Sequence, residues 1–181
     1  MKGLVITSKG IEETASIEIR ELIEANCKIE ECCVVFDFKE LKDLCLLCYK
    51  CQSADRVIYL IGNFEFEEFF KNLKEFINKT NFSEWIKEYK KFRVECIRLG
   101  THDFNSVDVE SKAAKFILEK NKKMKLDLND QQIIFLVYII NDKCYFGVDF
   151  AGFELNKRGY KIFTHPSSLR GTIAYTLARE S

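Results

Sequence analysis

At 181 residues with 47% apolar side chains, the chain has material for one ordinary domain or two small ones with real cores, which excludes a disordered polymer. Its 28 basic and 28 acidic side chains cancel to a formal net charge of zero, so there is no global basic signature of a nucleic-acid binder. No apolar run approaches the roughly 18 uncharged residues of a membrane span, and the N-terminus lacks a basic region followed by an apolar signal segment. The expected location is the cytoplasm, with no membrane partner.

In chain order, Leu4 to Ser8 predicts a short strand, Lys9-Gly10 its turn, and Ile11 to Ala25 a helix with apolar residues at Ile11, Ala15, Ile19, Leu22 and Ile23. Glu12, Glu13 and Glu18 suit the positive N-terminal end of that helix. Cys27 to Phe38 is long enough for two strands joined around Glu30-Glu31, with Val34, Phe36 and Phe38 alternating. Leu41 to Cys51 predicts a second helix, and Arg56 to Gly62 a strongly β-prone strand. The order βαββαβ is that of a ferredoxin-like split βαβ unit. Such a fold says nothing by itself about activity.

After Gly62-Asn63 the pattern changes. Glu65 to Ile77 has Phe66, Phe69, Phe70, Leu73, Phe76 and Ile77 at helical spacing, which favours core packing over a base-stacking platform. Asn81 or Ser83 is a candidate cap for a shorter helix carrying Trp85, Ile86 and Tyr89. Phe92 to Leu99 alternates as a strand ending at Gly100, and a loop, Thr101 to Ser106, feeds a helix from Val107 to about Lys120 capped by Asn105 or Ser106. Ile133 to Ile140 and Cys144 to Phe150 flank Asn141-Asp142-Lys143 and predict a hairpin buried on both faces. The second unit reads ααβαββ, so the fold class is α+β. A last helix is expected from Ser167 or Ser168, just after Pro166, the only proline of the chain.

Eight cysteines raise the question of zinc. Cys45, Cys48 and Cys51 lie near one helical face, yet His102 and His165 are far off in sequence and in different contexts for a fourth ligand. Reduced, structural thiols are the expected state, with no metal.

The charge distribution is more informative than its sum. Residues 1–63 carry 8 Lys and Arg against 11 Asp and Glu, a net of −3, while residues 87–170 carry 16 against 11, a net of +5. The second part is the expected phosphate-facing one. Lys90, Lys91 and Arg93, with Lys87, Arg98 and the lysines of 112–125, are candidates for a cationic track. His102 precedes a helix N-terminus, where free N–H groups donate to phosphate; the competing structural reading is a histidine that fixes the loop. Lys157 and Arg158 can neutralise phosphates, and Tyr160 offers a stacking face. The competing reading there has Arg158 pairing with Asp149 or Glu154 and Tyr160 packing within the linker. Arg170 carries the same ambiguity.

The run from Asp149 to Ala178, a DxxGxxLxKRGY core followed by a Pro-x-x-Leu-Arg-x-x-x-Ala segment, resembles the link between the THUMP domain and the catalytic domain of RNA guanine-N2 methyltransferases. Arg98-Leu-Gly-Thr-His-Asp-Phe-Asn-Ser and Ser53-Ala-Asp-Arg-Val extend the resemblance upstream, over essentially the whole chain. It implies a ferredoxin-like domain at 1–63, a THUMP RNA-binding domain at 64–155, and a linker with the start of a helix at 156–181. It also implies tRNA, or another structured RNA, as partner, gripped at the acceptor stem and 3′ end, and a methyltransferase domain in cis or in trans. Ala113 or Ala114 and Asn129-Asp130 stand where the family often has Gly and Pro.

Chemistry within the chain itself is not expected. There is no glycine-rich turn after a first strand for a methyl donor, no Asn- or Asp-Pro-Pro-Tyr/Phe motif, no Walker loop, no paired-His helix and no nucleophile elbow. The resemblance implies S-adenosylmethionine for an absent catalytic domain, with no cofactor in this chain. A stand-alone RNA-binding adaptor, a targeting module for thiolation, deamination or pseudouridine formation, and a protein-interaction module without RNA affinity are the alternatives.

Overall fold

The computed structural model describes residues 1–82, 85, 91–159, 163, 165 and 168–181. Residues 1–59 together with 150–181 form one compact unit, and residues 60–149 form another.

The first unit holds β1 (Lys2–Ile6), α1 (Glu12–Ile23), β2 (Cys27–Glu30), β3 (Cys33–Asp37), α2 (Leu41–Lys50) and the start of β4 (Arg56–Glu65). Its strands run in the order β2-β3-β1-β4, with β1 antiparallel to both β3 and β4. This is the expected βαββαβ unit, and the hairpin turns where Cys32 takes a left-handed φ of 56°. Val5, Ile19, Val34, Phe36, Leu44, Leu47 and Val57 fill the core between sheet and helices. The periodicity dictates that choice: β3 alternates with period two while Ala15 and Ile19, and Leu44 and Leu47, recur at helical spacing. Leu155, far along the chain, completes the same core.

The second unit takes the end of β4 and adds α3 (Phe69–Lys79), β5 (Lys91–Leu99), α4 (Ser106–Lys120), β6 (Lys125–Leu126), β7 (Ile133–Ile140) and β8 (Lys143–Asp149). The strands run β4-β8-β7-β5-β6. β5 pairs in parallel with β7 from Phe92 opposite Ile133 to Leu99 opposite Ile140, and β7 and β8 form the expected antiparallel hairpin. Every residue of β7 is buried. Phe76 of α3 packs on Phe146 at 5.7 Å, and Phe82, just after that helix, on Phe135 at 5.5 Å, so aromatic contacts seal this segment to the sheet. The Lys120 ammonium caps the C-terminal end of α3, 3.0 Å from the Ile77 carbonyl oxygen and 2.6 Å from that of Asn78, and also reaches Thr80. A cation at that negative end is favourable.

Several boundaries differ from expectation. β4 runs through Gly62-Asn63 to Glu65, and α3 begins only at Phe69. Gly62 was expected to end the strand, but it makes room within it: a Cβ there would lie 2.9 Å from the Phe76 ring. The last helix, α5, spans Gly171–Glu180 with Arg170 as its N-cap, later than Ser167 or Ser168. β1 lies at Lys2–Ile6, two residues earlier than read. The short helix expected after Asn81 falls largely outside the described residues, as do Pro166 and Ser167. No helix of the described residues is long and apolar enough to cross a membrane.

Candidate functional site

In the second unit two of the candidates, Arg98 and His102, meet where β5 ends. Gly100 adopts φ +104°, and a Cβ at that position would lie 2.9 Å from Asn141 Oδ1 and 3.3 Å from the Asn141 nitrogen. Only glycine admits this approach without strain, and the Asn141 N–H donates to the Leu99 carbonyl at 3.0 Å. The β5 end and the β7–β8 turn are thereby locked together. His102 then reaches the same turn, its Nε2 lying 2.6 Å from the Asn141 carbonyl oxygen. A carbonyl only accepts, so Nε2 carries the proton and Nδ1 accepts from Arg98 Nη1 at 3.2 Å. Arg98 and His102, four residues apart, form one hydrogen-bonded unit.

Around that unit sits an aromatic cluster. His102 stacks on Phe104 at 5.0 Å and 29°, and Phe104 stacks on Phe69 at 4.6 Å and 21°. Phe66 and Phe70 complete it, 6.4 and 5.3 Å from Phe104. Arg98 lies 5.7 Å above the Phe104 ring, and the Lys112 ammonium, from α4, lies 3.4 Å from the Phe70 centroid. The result is a half-buried aromatic surface edged by two cations, the combination that receives bases and phosphates. Behind it α4 starts with a closed capping box: Asn105 Oδ1 accepts from the Asp108 N–H at 2.8 Å, and Asp108 Oδ2 faces the Asn105 N–H at 3.4 Å. Sequence periodicity assigned Phe66 to a helix and passed over Phe104. A Phe two residues after the loop histidine was the available signal.

Two of the track candidates in this unit, Lys91 and Arg93, already have partners. Lys91 Nζ lies 2.5 Å from Asp130 and 3.3 Å from Asp127; the hydrogen bond to Asp130 leads in raising its pKa above the ordinary lysine value. Arg93 pairs with Glu95. Lys90 lies outside the described residues.

Lys157, Arg158 and Arg170 belong to the first unit, and Tyr160 lies outside the described residues. Lys157 pairs with Glu154 at 2.7 Å and stays exposed. Arg158 turns inward: its Nη2 donates to the Gln52 carbonyl at 2.7 Å, a partner different from the expected Asp149 or Glu154. Arg170, exposed at the start of α5, exerts an attraction on Asp55, whose pKa burial raises while an Asn156 hydrogen bond and Arg170 oppose that rise.

Glu18 was missed as a site residue. It is buried on α1 at 5% exposure, and its carboxylate accepts from the Gln52 N–H at 2.8 Å, the Ser53 N–H at 2.9 Å, the Ser53 hydroxyl at 2.5 Å and the Cys51 thiol at 3.2 Å. All eight cysteines are free thiols. Among the described residues no group of three or more His, Cys, Asp or Glu is placed to hold a metal ion.

Gly100, after β5, has Asn141 Oδ1 2.9 Å from where a Cβ would lie, and Gly152, after β8, turns with φ +73°; neither opens a helix of a doubly wound sheet, the arrangement that cradles a methyl donor.

Comparison with known proteins places these features in context. Residues 66–149 match the family model of the THUMP domain. The chain is 30% identical to the tRNA (guanine(6)-N2)-methyltransferase of Methanocaldococcus jannaschii, over 97% of this chain and 46% of that protein. It is 26% identical to the enzyme of the same description from Archaeoglobus fulgidus, over 94% of this chain and 44% of that one. Among solved structures, one described as a possible methylase from Clostridium difficile 630 superposes with a TM-score of 0.81 at 23% identity, covering 99% of this chain and 48% of that one. The last likeness concerns the fold alone. The chain spans about half the length of the curated relatives it matches.

Proposed function

We propose, from the premise that this is a THUMP-domain chain similar along nearly its whole length to about half of a tRNA guanine-N2 methyltransferase, that it is the RNA-gripping portion of such an enzyme. The observation that carries the reading is the 97% coverage of this chain by the Methanocaldococcus jannaschii relative. The RNA is a tRNA held at its acceptor stem and single-stranded 3′ end. A-form RNA is read by shape and backbone, so scattered cations on a structured surface suffice.

The aromatic surface of Phe66, Phe104 and His102, edged by Arg98 and Lys112, takes the unstacked 3′ bases. Cations supply the phosphate contacts: the exposed Lys157 and Arg170 from the linker, and Lys90, Lys91 and Arg93 on the track, with Tyr160 as a stacking face. Catalysis and S-adenosylmethionine belong to a methyltransferase domain, in the same chain or in another, that receives a guanine flipped out of the stack. The division into 1–63, 64–155 and 156–181 is kept as the functional one: scaffold, RNA grip and connection.

A tRNA titration at two salt concentrations tests the reading. Binding that weakens as salt rises is expected of phosphate contacts. Absence of binding at low salt contradicts it.

A further inference from the structure

We infer that Arg158 is a positioning residue, which locks the 150–181 segment onto the first unit through one peptide bond, and that it is not an RNA ligand. The inference rests on the RNA-methyltransferase reading for its purpose, and on geometry for its content. The Gln52–Ser53 peptide is held at both of its polar ends. Its carbonyl accepts from Arg158 Nη2 at 2.7 Å, and its N–H donates to Glu18 Oε2 at 2.9 Å. A cation on the oxygen and a carboxylate on the hydrogen polarise the peptide in the same sense, so each bond strengthens the other. Thr7 Oγ1 donates to the Ser53 carbonyl at 2.7 Å and fixes the next peptide as well.

The segment carrying Arg158 is anchored just before it, from Phe150 to Asn156. The Phe150 N–H donates to Val57 and the Leu155 N–H to Asp55, both at 2.9 Å, while Asn156 Nδ2 donates to Asp55 Oδ1 at 2.7 Å. The Leu155 side chain is buried in the core. The turn at 156–158 in turn seats α5: a Cβ on Gly171 would lie 3.2 Å from the Asn156 carbonyl oxygen and 3.3 Å from Arg158 Cγ. Arg179, at the far end of α5, pairs with Glu21 of α1. Arg158 therefore sits between the 51–53 loop and the first turn of α5, with its Nη2 turned onto the Gln52 carbonyl. The consequence for the proposed enzyme is a fixed direction of α5 within the first unit, and so of a catalytic domain joined there.

The test places spin labels, through non-natural amino acids, at positions 13 and 174, both exposed, in the 181-residue chain. The distance distribution is read for wild type, Arg158→Ala and Arg158→Lys, alongside a tRNA titration. Wild type is expected to give a narrow distribution, Arg158→Ala a broad one, and Arg158→Lys, which still reaches the carbonyl, a narrow one. Amides of Leu155 and Ala174 are expected to exchange about tenfold faster in Arg158→Ala, the effect of losing one charge-assisted hydrogen bond. Affinity for tRNA stays within about twofold in Arg158→Lys, a change too small for loss of a bidentate phosphate contact. A narrow distribution in Arg158→Ala overturns the proposal, as does a marked loss of tRNA affinity in Arg158→Lys with its distribution still narrow. Should Arg158→Ala fail to fold, Gly171→Val, which crowds the Arg158 stem from the α5 side, is expected to broaden the distribution, and no broadening overturns the proposal. Failure of wild type to bind tRNA leaves the distances untouched and counts only against the RNA reading.

Discussion

Glu18 and Arg158 grip the same peptide from opposite sides, the carboxylate at the Ser53 N–H and the guanidinium at the Gln52 carbonyl oxygen. They lie 140 positions apart in the sequence, and their coupling is measurable. In a double-mutant cycle with Glu18→Gln and Arg158→Ala, urea unfolding is expected to give an interaction energy of about 0.5–3 kcal/mol, the range for groups in one hydrogen-bond network. Additivity within about 0.3 kcal/mol would contradict the shared-peptide account.

His102 is expected to be the Nε2–H tautomer, because Nε2 faces the Asn141 carbonyl and Nδ1 faces the Arg98 guanidinium. A long-range proton–nitrogen correlation spectrum distinguishes the two ring nitrogens directly. His102→Ala removes both bonds and the stacking on Phe104, and a loss of about 1–2 kcal/mol is expected. His102→Gln, able to donate to Asn141, is expected to recover part of it.

Gly100→Ala meets two costs together, a φ of +104° and a contact of 2.9 Å with Asn141 Oδ1. A destabilisation of about 2–3 kcal/mol follows, or roughly 5–10 °C in Tm for a chain of this size. Gly10→Ala, with φ +91° and nothing within 4 Å of the added Cβ, isolates the backbone cost and is expected to lose less.

Two buried thiols and one half-buried one set an alkaline limit. Burial, then the Glu18 carboxylate, pushes Cys51 up to about 12. Burial pushes Cys96 up to about 12 and raises Cys144 well above its ordinary value. An acid whose folded pKa is raised keeps its proton longer in the folded state than in the unfolded one. Its stabilisation is complete below the unfolded value near 9 and is lost as pH rises toward 12, at about 1.4 kcal/mol per pH unit for each thiol. Denaturant unfolding at pH 7, 9 and 10 is expected to show little change over the first interval and a fall over the second. Below pH 9 thiol reagents are expected to modify exposed Cys45 well before Cys51 or Cys144.

Much of this fold could be read from the sequence because periodicity reports burial. The β3 alternation, the α1 and α2 stripes and the Ile133–Ile140 run each state their buried face, and Asn105 announced the start of α4. Two kinds of feature were not legible. Gly62 reads as a strand end, whereas a ring from α3 needs its space; a missing side chain looks the same in both cases. Glu18 reads as a charge favourable to the helix N-terminus, and Arg158 as a phosphate ligand or ion pair, because their shared partner is a backbone peptide and a peptide has no letter in the sequence. The Arg98–His102 pair was visible as a motif, while the aromatic surface around it depends on Phe66, Phe69 and Phe70 meeting Phe104 across the fold.

The central claim, that this chain grips the 3′ end of tRNA, is tested most directly by titrating intact tRNA transcript and the same transcript lacking its 3′ CCA against the chain at low salt. The account predicts clear binding of the intact transcript and about tenfold weaker binding without CCA, the loss of roughly one stacked base contact. Equal affinity for the two transcripts, or no binding of either, would contradict it.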